Sequence, residues 1–433
     1  MNKQWLQETW PARAQLFFIA NGIKRIIHNN KMLLGSLIYW AVVLIWRWFI
    51  VKDNASLKWF DSMKNTGNAG WLVFIAVIVF ILFILWVGKP KGAGQMMRNA
   101  TRAGLVNHTG ETPLLLERSV DEKGVYTLKF RNFGIPLSHW NDHKEDIESG
   151  LNLNITDIKE RGKKYIIVTA VSGANILPDF IEWNNSNLSG KSFELILGEG
   201  YTGKITANLT ITPHMLIGGS TGSGKSILLK CLLMQCVKKD AKVYIADFKG
   251  GVDFPRVWHE NCTFITERDD LIEKLDKLII ELHRRKVIFS DMDCPNIDEY
   301  NRRGYSPLQR IIFACDEVAE LLDKTGLDKK QKEQISQIEA SIASIARLGR
   351  AFGIHLILAT QRPDANIISG QIKNNIDYRV CGRADDVLSQ IILDKTDAND
   401  QISKNAQGRF LTNSDILFQG YWFDDNRGVD WNV

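Results

Sequence analysis

The residues Gly219-Ser220-Thr221-Gly222-Ser223-Gly224-Lys225-Ser226 fill the pattern G-x-x-x-x-G-K-[ST] in full. The chemistry this spacing serves is phosphate binding. Glycines let the backbone close around an anion with its N–H groups pointing inward, lysine neutralises the β- and γ-phosphates, and the serine hydroxyl ligates Mg²⁺. A nucleotide site also needs an acidic partner on a neighbouring strand. Arg310–Leu322 (RIIFACDEVAELL) supplies an apolar run ending in Asp316-Glu317. Asp316 would hold the Mg²⁺ shell and Glu317 would polarise the attacking water, a division of labour that belongs to ATP hydrolysis and not to binding alone. Two further apolar runs end in polar residues. Lys242–Gly251 presents Asp247 and Lys249, which suit either the site or a structural ion pair, and His355–Pro363 presents Thr360, Gln361 and Arg362. Gln361 is a candidate to sense the γ-phosphate or orient water.

The elements around these residues read as an α/β domain. Met215–Gly218 is a short apolar strand, and Ile227–Val237 (ILLKCLLMQCV) is a helix that begins where the glycine motif ends. From His214 onward, apolar β-type runs alternate with helical stretches, as expected for a parallel sheet covered by helices. This nucleotide-binding domain is placed at 201–433. Ahead of it, residues 116–200 break into short runs such as Val125–Phe130, Tyr165–Val171 and Phe193–Leu197 separated by Gly, Asn and Pro, which predicts a small β-rich or α+β module. Residues 91–115 carry Gly92, Gly94 and Gly104 among basic residues without a clear period, which predicts a linker.

Residues 1–90 have another character. Met32–Val51 (MLLGSLIYWAVVLIWRWFIV) and Trp71–Gly88 (WLVFIAVIVFILFILWVG) are each about the length that spans a ~30 Å hydrocarbon layer as a helix. Arg47, the one charge in these stretches, lies near an end, where a long side chain reaches the interface. Lys24, Arg25 and Lys31 precede the first stretch and Lys89, Lys91, Arg98 and Arg102 follow the second, whereas between them Lys52, Lys58 and Lys64 face Asp53 and Asp61. By the positive-inside tendency the chain is expected in the cell membrane, multi-pass, with both termini and the nucleotide-binding domain cytoplasmic. Trp5, Trp10, Trp40, Trp46, Trp48, Trp59, Trp71 and Trp86 make eight of the 13 tryptophans, which suits interfacial belts better than a soluble core.

A chain of 433 residues exceeds one ordinary core, so several units are expected. The net charge of +5 is too mild over this length to indicate a nucleic-acid partner by itself, so any basic surface must be local. The six cysteines form no C-x-x-C pair, which fits a reduced, cytosolic setting.

With these residues in view, the stretch from Phe193 to Leu411 resembles the FtsK/SpoIIIE family of DNA translocases within the FtsK-HerA group. FELILGEGYTGK, PHMLIGGSTGSGKS, the Asp-Phe-Lys-Gly-Gly turn, HRRKVIFSDMDCPNIDEYN, the strand ending in Asp316-Glu317 and GRAFGIHLILATQRPDANIISGQIKNNIDYRV carry the resemblance. It implies a RecA-like motor working as a homo-hexamer, with ATP between subunits and DNA, read without sequence preference, in the central channel. It also implies an arginine that completes a neighbour's site, for which Arg350 and Arg379 stand in matching stretches. Residues 320–333 (ELLDKTGLDKKQKE) stand where the family carries a loop facing the pore, making Lys324, Lys329, Lys330 and Lys332 candidate DNA contacts. With two spans, no long linker and an end about twenty residues after the motor, the chain looks like the Tcp-type coupling proteins of Gram-positive conjugative elements. That likeness implies a relaxase and transfer-channel proteins as partners. The alternatives are a chromosome or plasmid segregation translocase and a type VII protein-export ATPase.

Overall fold

The computed structural model describes residues 3–53, 59–102, 104–122, 124–362 and 367–424. Lys58 and Pro363 lie outside the described residues. The chain divides into two compact units, Met1–Asn175 and Ile176–Val433.

The first unit opens with three helices, Lys3–His28, Asn30–Asp53 and Trp59–Gly88. The stretches Asn30–Phe49 and Gly70–Gly88 are long and apolar enough to cross a membrane. Most of their large side chains are exposed, with Leu34, Leu37, Trp46, Trp71 and Trp86 all more than half so, while Ile84 and Val87 are buried against Ile26 of the first helix. Tyr39 joins the two helices, stacking on Phe80 and donating its hydroxyl to the Ala76 carbonyl at 2.9 Å. The helix Lys3–His28 was not visible in the sequence. It crosses Trp59–Gly88 at glycines, where a Cβ on Gly22 or Gly88 would lie 2.1 Å from the Ile84 carbonyl oxygen or 1.9 Å from that of Phe18. Asn21 and Arg25 then cap the end of that span, donating to the Gly88 and Val87 carbonyls.

The expected linker contains a helix, Ala93–Arg102. Ala93, Met96 and Ala100 make one buried stripe at i, i+3 and i+7, too narrow to stand out among basic residues. It joins the core of an antiparallel sheet built from β1 (Leu114–Val120), β2 (Val125–Arg131), β3 (Leu153–Arg161) and β4 (Tyr165–Ser172), in the order β1-β2-β4-β3. Phe130, Trp140, Ile166 and Val168 fill this core together with Ala14 and Phe18 of the first helix.

The second unit is a ten-stranded sheet. Its strands are β5 (Glu194–Gly200), β6 (Gly203–Asn208), β7 (Met215–Gly218), β8 (Lys242–Ala246), β9 (Thr263–Ile265), β10 (Ile311–Cys315), β11 (Ile354–Thr360), β12 (Tyr378–Gly382), β13 (Arg409–Thr412) and β14 (Leu417–Gly420). The order is β6-β5-β14-β13-β12-β7-β11-β10-β8-β9, with β12 through β9 parallel. Every residue of β7, β10 and β11 is buried, the near-continuous apolar pattern of strands covered on both faces. One face packs on the helix Lys225–Lys238, the other on the helices Arg268–Asp291, Lys329–Phe352 and Asp386–Leu393.

This corrects the boundary expected at 200. The hairpin β5-β6 pairs with β14 in the large sheet, and Gln235 of the helix Lys225–Lys238 bonds both the N–H and the C=O of Ile196 at 2.8 Å. A short apolar run reads alike in either module; only its pairing partner assigns it.

Candidate phosphate site

β7 lies between β11 and β12, and the chain leaving it passes over β11 and β10 to reach β8. The crevice beyond the carboxyl ends of such strands is where open α/β sheets gather ligands. The glycine loop follows β7 at this point. Gly222 and Gly224 take left-handed backbone at φ 76° and 95°, where a side chain would be strained, and a Cβ on Gly224 would lie 2.9 Å from the Gly408 nitrogen. The helix Lys225–Lys238 starts immediately after, with its N-terminus facing the loop.

Lys225, Ser226, Asp316, Glu317, Thr360 and Gln361 meet across β7, β10 and β11. Lys225 Nζ donates to Asp316 Oδ1 at 2.9 Å and to the Asp316 carbonyl at 2.5 Å. Ser226 Oγ donates to the same carboxylate at 2.9 and 3.1 Å. The lysine, the hydroxyl and the first acid of the pair thus converge on one point. Glu317 faces the other way: its Oε1 accepts from Thr360 Oγ1 at 2.7 Å and its Oε2 from the Gln361 N–H at 2.9 Å. Gln361 in turn accepts from Thr221 Oγ1 at 3.1 Å, linking the glycine loop to the second acid.

Asp247 and Lys249 do not form the structural pair that was one reading of them. Lys249 pairs with Asp253 at 3.7 Å, and Asp247 Oδ1 accepts the backbone N–H of Lys249 at 3.0 Å. Burial works against the Lys249 ammonium, but the charges of Asp316, Asp253, Glu320 and Asp247 outweigh it and hold its pKa above the ordinary lysine value. Burial likewise raises Glu320, helped by Glu317 and Asp247 and opposed by Lys249 and Arg362. The site is therefore an acidic cluster with two lysines set into it. Ser223 Oγ and Asp247 Oδ2 are buried without a hydrogen-bond partner, polar atoms that a bound ligand and its water would satisfy. Among the described residues no group of three or more His, Cys, Asp or Glu could hold a metal by itself.

The two candidate trans-acting arginines differ. Arg379 is spent within its own chain: it pairs with Asp394 at 2.5 Å and donates to the carbonyls of Ile376 and Lys373. Arg350 is exposed, and among the described residues its side chain bonds only the Thr210 carbonyl, at 3.3 Å. Arg383, which sequence reading passed over, braces the loop by donating to the carbonyls of Thr221 at 2.6 Å and Lys404 at 2.7 Å. Its place follows from the register Cys381↔Gly218 between β12 and β7, information held in strand pairing and not in local pattern.

Lys324 is tied to Glu339 at 2.8 Å. Lys329, Lys330 and Lys332 are exposed, and they occupy the first turns of the helix Lys329–Phe352 instead of the expected loop. Asp328 and Gln331 form the capping box that starts it.

A parallel sheet with this glycine loop, lysine, serine and acidic pair at one crevice defines a P-loop ATPase. The FtsK/SpoIIIE family model matches residues 181–365, and the chain belongs to that family. It is 31% identical over 255 residues to the DNA translocase FtsK of Treponema pallidum, covering 55% of this chain and 31% of that one. With the DNA translocase FtsK of Lactiplantibacillus plantarum it shares 30% identity over 247 residues, 53% of this chain and 29% of the other. The chain spans about three tenths of the length of these curated relatives. Among solved structures it resembles the pCW3 conjugation coupling protein TcpA in its monomer form with ATPγS, at TM-score 0.59 and 34% identity, over 79% of this chain and 98% of that one.

Proposed function

We propose that this chain is a membrane-anchored ring ATPase that couples ATP hydrolysis to the movement of DNA, delivering relaxase-bound DNA to a conjugative transfer channel. The observation that carries the reading is the likeness to the TcpA coupling protein over nearly all of that structure. In the proposed mechanism the loop residues Gly219 to Ser226 cradle the phosphates, Lys225 exchanges Asp316 for the β- and γ-phosphates, and Ser226 and Asp316 are the residues that would hold Mg²⁺, which would supply charge neutralisation on the phosphates. A carboxylate and a hydroxyl side by side are oxygen donors of the kind that Mg²⁺ prefers. Glu317 orients the attacking water once it leaves Thr360 and Gln361. Arg350, free to reach outward, serves the neighbouring subunit of a homo-hexamer; Arg379 does not. The spans at 32–51 and 71–88 hold the motor on the cytoplasmic side of the cell membrane.

Lys329, Lys330 and Lys332 are proposed to face DNA phosphate. Three cations at a helix N-terminus oppose the macrodipole, each at ~0.3–1 kcal/mol, so their placement works against stability and suits an external anion. The two curated relatives named above, both described as DNA translocases, favour as a second reading a motor acting on the chromosome or a plasmid during segregation. Cells carrying Lys225→Ala decide between them. Coupling predicts that transfer of the mobile element stops while growth and chromosome partition stay normal; a partition defect with transfer intact would promote segregation.

A further inference from the structure

The second apolar span ends at Gly88, and the cations that follow it gather around one turn of the chain. Lys89 Nζ and Arg98 Nη1 lie 3.6 and 3.9 Å from the point that a Cβ of Gly94 would occupy, and Arg118 Nη1 lies 3.3 Å from the corresponding point at Gly92. Lys89 and Arg98 are exposed, and among the described residues neither forms an ion pair. Like charges held this close repel one another, so an anion between them is favoured. Lys89 also stands 5.9 Å from the Phe18 ring, which ties this turn to the first helix.

That helix is apolar on two opposite sides. Ala14, Phe18 and Ile26 are buried against the rest of the unit. Leu16, Ile23 and Ile27, at i, i+7 and i+11, make a second stripe that is 67%, 44% and 56% exposed. The stripe is continuous with the membrane surface of the spans, because the helix meets the end of the second span at Gly22 and Gly88 with almost no space between the backbones.

We propose that this corner of the first unit binds an anionic phospholipid, with Leu16, Ile23 and Ile27 set into the acyl boundary and Lys89 and Arg98 closing on the headgroup phosphate. The proposal rests on the membrane-anchor reading above and adds to it the lipid that the anchor selects. An amphipathic helix lying in the interface gains from its buried apolar area and from attraction to anionic lipid together. A guanidinium and an ammonium side by side suit a phosphate that carries net negative charge, and they repel the cationic end of a zwitterionic headgroup.

The test is native mass spectrometry of the full chain in detergent, titrated with phosphatidylglycerol, phosphatidylcholine or inorganic phosphate. The unaltered chain should retain phosphatidylglycerol ahead of phosphatidylcholine. Lys89→Ala and Arg98→Ala should each weaken phosphatidylglycerol about fivefold, the scale of one cation at an anionic surface, and leave ATP hydrolysis unchanged. Arg98→Lys should keep most of the affinity. Ile23→Ser combined with Ile27→Ser should weaken both lipids, since the stripe meets the acyl chains. Arg102→Ala, which removes a cation from the last turn of the helix Ala93–Arg102, should change little. An equal loss from Arg102→Ala would overturn the proposal in favour of diffuse charge, and displacement of phosphatidylglycerol by inorganic phosphate would overturn it in favour of a free-anion site. Release of the full chain from cell membranes by carbonate would refute the anchor itself; a chain that resists carbonate yet retains the two lipids equally would refute the lipid site alone.

Discussion

At the scale of single residues, the acidic pair splits into two environments: Asp316 is bound to Lys225 and Ser226, while Glu317 is bound to Thr360 and Gln361. Glu317→Gln should therefore keep nucleotide affinity within a few fold and lose turnover by a factor of about 100 or more, the scale of removing a group that acts in the transition state. Lys225→Ala should lose affinity as well, because its ammonium is the cation that the glycine motif itself supplies to the phosphates. Measuring nucleotide binding and phosphate release on both variants checks this, and near-normal release by Glu317→Gln would remove Glu317 from the chemistry. The lysines answer to a different readout. Lys329→Ala combined with Lys330→Ala should flatten the salt dependence of DNA affinity by up to about two units in log–log slope, similarly on unrelated sequences. An unchanged slope would mean these cations face solvent only.

At the scale of elements, the core that carries the site is locked by a buried polar network. His355 Nδ1 donates to the Pro213 carbonyl and its Nε2 accepts from Arg310, both at 2.9 Å, while Arg310 pairs with Asp298 at 2.6 Å. His214 Nδ1 accepts the Leu356 N–H at 2.9 Å. Desolvation keeps both rings neutral: His214 is pushed down from 6.5 to about 4, and His355 well below its ordinary value, with Arg310 adding to the effect. A histidine whose folded pKa is depressed contributes stability that is complete above the unfolded value and is lost as pH falls toward the folded one. Thermal unfolding temperature should fall by several degrees between pH 6.5 and 4. His214→Asn, which keeps an acceptor for Leu356, should flatten that window; an identical pH profile would remove His214 as the cause.

The same elements show what a sequence discloses. The glycine loop, the buried strands and both apolar spans were legible because each is a local pattern with its own period. GRAFGIHL was legible as a signature, and the structure gives the reason. A Cβ on Gly349 would lie 2.1 Å from the Ile354 carbonyl oxygen, and Gly353 ends the helix at φ 67°. The helix Ala93–Arg102, the placement of β5 and the reach of Arg383 were not legible. Each depends on a partner distant in sequence: the β1–β4 core, β14 and β7 respectively. The opposite fates of Arg350 and Arg379 follow similarly from Thr210 and Asp394, which no local pattern connects to them.

At the scale of the whole molecule, the chain carries two apolar N-terminal helices, long enough to cross a membrane, ahead of a P-loop ATPase with an acidic pair in its crevice and exposed lysines at Lys329, Lys330 and Lys332. In the proposed function hydrolysis drives motion along DNA. It is tested most directly by reconstituting the full chain and following displacement of a third-strand oligonucleotide from duplex DNA. The unaltered chain should give ATP-dependent displacement on unrelated sequences, and Glu317→Gln none although that variant still binds ATP and DNA. Displacement at the normal rate by Glu317→Gln, or ATP hydrolysis by the unaltered chain that never displaces the third strand, would contradict it.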